Sequence, residues 1–135
     1  MSKILIIEDD VFLRDLIVRK LKQDNFGVLE AVDGEEGYQK LQEEAVDLIL
    51  LDLVLPGIDG FELLEKIKKD EKQKNTPVII ISNLGEESDI KRGFSLGATD
   101  YIVKAQLTPN EIITKVKNVL ALKEQKGRKL NEYKK

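Results

Sequence analysis

The chain contains no cysteine and no histidine. Without cysteine there can be no disulfide, no thiolate metal site and no cysteine nucleophile. The missing histidine excludes more: the commonest general base, the usual imidazole metal ligand and any phosphohistidine carried on this chain. Whatever chemistry occurs must run on carboxylates, hydroxyls and lysines. Long apolar runs are also missing, since none approaches the roughly 18 to 20 residues that cross a bilayer. The Met1-Ser2-Lys3 start leads into a four-residue apolar run that is too short and wrongly flanked for a signal peptide. The expectation is a cytoplasmic protein with no membrane partner. No glycine-rich Walker A segment is present either.

What is there fits one soluble domain: 135 residues, 41% hydrophobic and 35% charged. The net charge of −3 is uneven, because residues 123–135 carry six basic and two acidic side chains, a net of +4 that leaves −7 on residues 1–122. An acidic body with a short basic tail makes direct nucleic-acid binding an unfavoured reading. The division expected is a domain over 1–122 and a basic helical extension or linker over 123–135.

Four apolar runs punctuate the chain: Ile4-Leu5-Ile6-Ile7, Leu48-Ile49-Leu50-Leu51, Val78-Ile79-Ile80-Ile81 and Tyr101-Ile102-Val103. They are continuous and do not alternate with polar residues, as expected of strands buried on both faces of a parallel sheet. A weaker run, Gly27 to Ala31, suits an edge. Between the runs lie helical spacings: Leu13, Leu16, Ile17 and Leu21; Tyr38, Leu41 and Ala45; Phe61, Leu64 and Ile67; Ile90 and Phe94; and a last one from Ile112 through Val116 to Leu120. Asp33, Asp59 and Thr108 stand where capping residues belong, with Pro109 at a first helical position, and Gly97 is placed to end the fourth helix. The pattern is (βα)5, an α/β open doubly wound sheet in one domain.

In such sheets the ligand site lies beyond the carboxyl ends of the strands, so the residue after each run is the informative one. Those residues are Glu8, Asp9 and Asp10, then Asp52, Ser82 and Lys104. Carboxylates forced together repel one another unless a cation offsets them, and hard oxygen donors without imidazole or thiolate point to magnesium, with manganese or calcium as substitutes. Asp10 is assigned to capping the first helix.

The spacing of Glu8-Asp9, Asp52, Ser82 and Lys104, with Asp52-Leu-Val-Leu-Pro56-Gly-Ile-Asp-Gly60 after the third strand, strongly resembles the receiver domain of two-component response regulators. The resemblance covers residues 3 to about 122. It implies a flavodoxin-like fold with strand order 2-1-3-4-5. It implies a regulatory phosphoacceptor, not an enzyme, which takes a phosphoryl group from the phosphohistidine of a sensor kinase or phosphotransfer protein. By the same resemblance Asp52 is the acceptor, Asp9 and Asp52 ligate Mg2+ (or Mn2+) together with the Val54 backbone carbonyl, and Glu8 acts through water. Ser82 and Lys104 would contact phosphoryl oxygens. Tyr101 matches the aromatic switch position that works with Ser82. Output would pass through the face made by the fourth helix, fifth strand and fifth helix to a protein target or a second copy.

Two positions depart from the family pattern. Lys104 is followed by Ala105-Gln106 where proline is usual, and Asn83 stands where a small residue is common. Among rivals, a phosphatase of the haloacid dehalogenase type would need a second acid at the position of Val54, and a flavodoxin-type phosphate loop would be repelled by Glu8-Asp9-Asp10. Ending at residue 135, the chain reads most simply as a stand-alone receiver. The alternatives are the receiver fragment of a longer DNA-binding regulator, or a phosphorelay intermediate or phosphate sink.

Overall fold

Continuous apolar runs can satisfy their backbone only inside a sheet covered on both sides. In the computed structural model, β1 (Lys3–Ile7), β3 (Leu48–Leu51) and β4 (Val78–Ser82) occupy the interior of a five-stranded parallel sheet, with β2 (Gly27–Ala31) and β5 (Asp100–Val103) at its edges. The order is β2-β1-β3-β4-β5, the flavodoxin-like arrangement. The helices are α1 (Val11–Gln23), α2 (Gly34–Glu43), α3 (Gly60–Lys69), α4 (Glu87–Ser95) and α5 (Pro109–Tyr133). The structure describes the backbone of residues 1–133 and the side chains of residues 1–125, so most of the basic tail expected over 123–135 lies outside the described side chains.

Strand side chains alternate between two cores. Leu5, Ile7, Ile49, Leu51, Val78 and Ile80 face α2 and α3, where Leu41, Leu63, Leu64 and Ile67 meet them. Ile4, Ile6, Leu48, Leu50, Ile79 and Ile81 point the other way, onto Ile17 and Leu21 of α1 and Ile112, Ile113 and Val116 of α5. Each fully buried Leu or Ile contributes about 1.5–3 kcal/mol of transfer free energy, so the two faces together supply the main driving force.

Caps fix the loops at the carboxyl end of the sheet. Asp10 Oδ1 accepts from Leu13 N–H (3.1 Å), Asp33 Oδ1 from Glu36 N–H (2.8 Å), and Asp59 Oδ1 from Phe61 N–H (2.9 Å). Thr108 caps α5 as expected, with Glu111 N–H donating to Thr108 Oγ1 at 3.3 Å, but the Glu111 carboxylate accepts from the Thr108 hydroxyl (3.1 Å) where a full capping box would use the Thr108 N–H. Gly97 has φ +107° and ends α4 as read from the sequence.

Three helical positions read as core are not. Leu16 and Phe94 are 42% and 45% exposed, and Ala45 lies beyond the end of α2 at Glu43, where Val46 fills the core. The reason in α4 is close approach: a Cβ on Gly93 would stand 2.8 Å from Ile80 Cδ1 and 3.0 Å from Tyr101 Cδ2, so Gly93 is the contact and Phe94 turns outward.

The segment from Asp52 to Gly60 folds back on β3, with Gly60 N–H donating to Leu53 carbonyl at 3.0 Å. A Cβ on Gly60 would fall 2.3 Å from Leu53 Cα, whereas one on Gly57 meets nothing and suffers only from its φ of +82°. Gly60→Ala should therefore lower stability by at least about 2 kcal/mol, and Gly57→Ala by about 1 kcal/mol. Urea titration of both variants checks the order; equal stabilities would contradict this packing of the loop.

Candidate functional site

Four strand ends deliver polar groups to one edge of the sheet, because each apolar run stops where its strand leaves the core. Glu8 and Asp52 follow β1 and β3, which are hydrogen-bonded neighbours, so their carboxylates arrive side by side. Glu8 is 3% and Asp52 4% exposed, while Asp9 is exposed at the rim. Glu8, Asp9 and Asp52 each offer an oxygen, and these oxygens lie within 4.8 Å of one another.

Lys104, the first residue after β5, reaches back across the sheet edge. Its Nζ lies 2.8 Å from Glu8 Oε1 and 3.0 Å from Asp52 Oδ2. The other Glu8 oxygen accepts from Asp10 N–H (3.1 Å), and Asp52 Oδ1 accepts from Val54 N–H (3.2 Å). Both buried carboxylates are thus held at both oxygens. The three residues Lys104 to Gln106 close into a 3₁₀ turn, so the segment lacking the usual proline still aims Lys104 into the site.

One lysine does not balance three carboxylates. Burial, joined by the negative charge of Asp52, pushes the Glu8 carboxyl up to about 7, although its bonds to Lys104 and Asp10 N–H pull the other way. Burial disfavours the Lys104 charge, but the hydrogen bonds and charges of Glu8 and Asp52 outweigh it and raise its pKa above the ordinary lysine value. The net deficit is one divalent cation, and the all-oxygen donor set suits a hard one.

The site opens as a cavity of about 510 Å³ lined by Asp9, Asp10, Asp52, Val54, Asn83 and Lys104. Asn83, noted in the sequence as a departure, is therefore part of the wall. Asp10 lines the cavity while capping α1. Ser82 is fully buried at the end of β4, where its Oγ accepts from Leu84 N–H at 3.2 Å. Tyr101 pairs with Ile80 on the neighbouring strand, packs over Gly93, and donates its hydroxyl to the Leu84 carbonyl. Burial foremost, then the charge of Asp89, keeps that phenol protonated beyond its ordinary range. Ser82 and Tyr101 thus share one partner, Leu84, the first accepting from its N–H and the second donating to its carbonyl.

The sequence did not point to Leu84 as the shared partner, and nothing in its residue type could have: the contact is made by backbone.

The chain is similar to known proteins in sequence and in fold. The response regulator receiver domain model matches residues 4–117. The chain is 40% identical over 119 residues to the transcriptional regulatory protein ResD of Bacillus subtilis, covering 88% of this chain and 48% of ResD. It is 36% identical over 118 residues to the phosphate regulon transcriptional regulatory protein PhoB of Escherichia coli, covering 87% and 51%. The chain spans about half the length of these relatives. Among solved structures, a CheY-like response regulator receiver domain from Methanospirillum hungatei superposes with a TM-score of 0.87 at 28% identity, over 93% of this chain and 98% of that one. The chemotaxis response regulator CheY4 of Vibrio cholerae gives 0.82 at 26% identity, over 88% and 98%.

The raised Glu8 pKa has a consequence for the protein in chelator. A carboxyl raised by folding contributes stability below its ordinary value of 4.5, and that contribution is lost as pH rises through about 7. Glu8→Gln should remove this loss, so the variant gains on the wild type between those values by on the order of 3 kcal/mol. Denaturant titrations at several pH values measure it; a stability difference that does not change with pH would contradict the burial of a charged Glu8.

Proposed function

Because the chain belongs to the response regulator receiver domain family, we propose that it is a signalling switch that accepts one phosphoryl group on Asp52. The observation that carries this reading is the state of Asp52 itself. It is a nearly buried carboxylate at the end of the central strand, aligned by Val54 N–H and Lys104 and facing an open cavity.

The Asp52 carboxylate is the nucleophile. An oxygen of it attacks the phosphorus of a phosphoimidazole, the P–N bond breaks, and its electron pair stays on the departing imidazole, which takes a proton from solvent. The donor resides on another protein, a sensor histidine kinase or a phosphotransfer protein, since this chain has no histidine. Lys104 follows the charge: the ammonium that now bonds Asp52 Oδ2 transfers to a phosphoryl oxygen as the acyl phosphate forms. Ser82 Oγ gives up Leu84 N–H to donate to another phosphoryl oxygen. Asp9, Asp52 and the Val54 carbonyl, with Glu8 through water, would hold Mg2+ or Mn2+, which would supply charge neutralisation at the transferring group. Asp9 and Glu8 bring the negative charge that attracts that ion, and the apolar walls below them keep the carboxylates short of water.

The phosphoryl group adds charge where Asp52 carried −1, a group of about −2. Movement of Ser82 toward it draws on the Leu84 segment, which also carries the Tyr101 hydroxyl. Tyr101 and Gly93 are in contact, so the repacking reaches α4 and β5, and with α5 these form the face that binds a protein target or a second copy. The cell compartment this implies is the cytoplasm. A second reading has its support in ResD and PhoB, both named as transcriptional regulators: the same switch serves a DNA-binding output carried outside residues 1–122.

Treatment with a small acyl-phosphate donor should add one phosphoryl group, seen in intact mass, only when Mg2+ or Mn2+ is present. Asp52→Ala should abolish it. Equal labelling of Asp52→Ala and wild type, or full labelling in chelator, would remove the basis of this function.

A further inference from the structure

Beyond the carboxylates, one charged side chain is nearly enclosed beside the site and has no part in the mechanism above. Arg14 lies one turn into α1, its side chain 11% exposed. Its Nη1 donates to the backbone carbonyl of Glu8 at 2.7 Å, and its Nε donates to Glu30 Oε1 on β2 at 3.3 Å. Pairing of β1 with β2 ends at Ile7 and Ala31, and the last link is Glu8 N–H to the Ala31 carbonyl at 3.0 Å. The Glu8 carbonyl, just past the end of β1, is therefore the first that the sheet does not bind, and the guanidinium takes it.

The peptide joining Glu8 to Asp9 is planar, so fixing that carbonyl fixes the direction in which both carboxylate-bearing residues leave the strand. Glu30 in turn holds the guanidinium, and the fork geometry lets one side chain bind both partners at once, which a lysine ammonium on a flexible stem does not reproduce. We propose that Arg14 is a positioning residue for the cation site: it locks the Glu8-Asp9 peptide so that the Glu8 and Asp9 carboxylates are presented to a divalent cation. This rests on the reading that those residues hold a cation.

The sign of the effect separates positioning from simple charge. Arg14 is a cation near a cation site, so by electrostatics alone its removal would tighten binding of a second cation. Positioning predicts the reverse, a loss of about ten-fold or more in affinity, as is typical when a group orienting a metal ligand is removed. Lys in place of Arg keeps the charge and loses the fork, so Arg14→Lys should also bind weakly.

The experiment is Mn2+ binding followed by electron paramagnetic resonance on the wild type, Arg14→Met, Arg14→Lys and Asp9→Asn, with thermal melts in chelator to confirm folding. A parallel measurement, amide exchange of Asp10 N–H in the metal-free protein, reads the Glu8 loop without any ion, because that N–H is held by Glu8 Oε2. The proposal expects weaker Mn2+ binding and faster Asp10 exchange in both Arg14 variants, with labelling at Asp52 recovered at saturating Mn2+. Tighter or unchanged binding in Arg14→Met, or wild-type binding in Arg14→Lys, would overturn it. A wild type that binds no Mn2+ would overturn the cation reading, and the inference with it; wild-type binding abolished by Asp9→Asn but untouched by either Arg14 variant would overturn the inference alone.

Discussion

The ammonium of Lys104 sits between two buried carboxylates, 2.8 Å from Glu8 and 3.0 Å from Asp52, and the arrangement of the sheet edge follows from how far one positive charge can serve both. It suffices to keep Asp52 aligned. It does not suffice to make Glu8 comfortable as an anion, and the carboxyl responds by holding its proton up to about pH 7. Removing Lys104 would leave two buried charges uncompensated, the costly case, and adding a cation relieves them. Under the proposed function the same deficit would be met by a divalent cation, and only with that charge offset would the site accept an anionic phosphoryl group.

That deficit is maintained by the hydrophobic fold beneath it. Ile7, Leu51 and Ile80 are fully buried immediately below the acids, so water cannot solvate the carboxylates from inside. The strand order places β3 in the middle, which puts Asp52 within reach of β1 on one side and, across β4, of Lys104 just after β5. Under the proposed function the acceptor is buried enough to be tuned, and the groups that would sense its charge, Ser82 and Tyr101, lie on β4 and β5. Ser82 and Tyr101 meet at Leu84, which under that reading would give the charge a mechanical route to α4.

Much of this was legible in the residues. Continuous apolar runs announced a parallel sheet, and Glu8, Asp52, Ser82 and Lys104 each stood directly after one, with Asp9 next to Glu8. Capping at Asp10, Asp33 and Thr108 also followed from local chemistry. What escaped depends on distance in space. Leu16 and Phe94 fit a helical stripe, but Gly93 brings α4 so close to Tyr101 that its neighbour is turned to solvent. Arg14 is an ordinary basic residue on a helix until β2 supplies Glu30 and β1 ends with an unpaired carbonyl. The high pKa of Glu8 requires knowing that it is buried, which its position after a strand does not reveal.

Under the proposed function Glu8 carries the charge imbalance and surrenders its proton when a divalent cation arrives. Calorimetric titration with Mg2+ in two buffers of different ionisation enthalpy counts the protons released. With the Glu8 carboxyl at about 7, close to one proton should leave per Mg2+ bound near pH 6, falling toward zero above about pH 8, and Glu8→Gln should release none. Binding of Mg2+ near pH 6 with no proton released by the wild type would contradict the account.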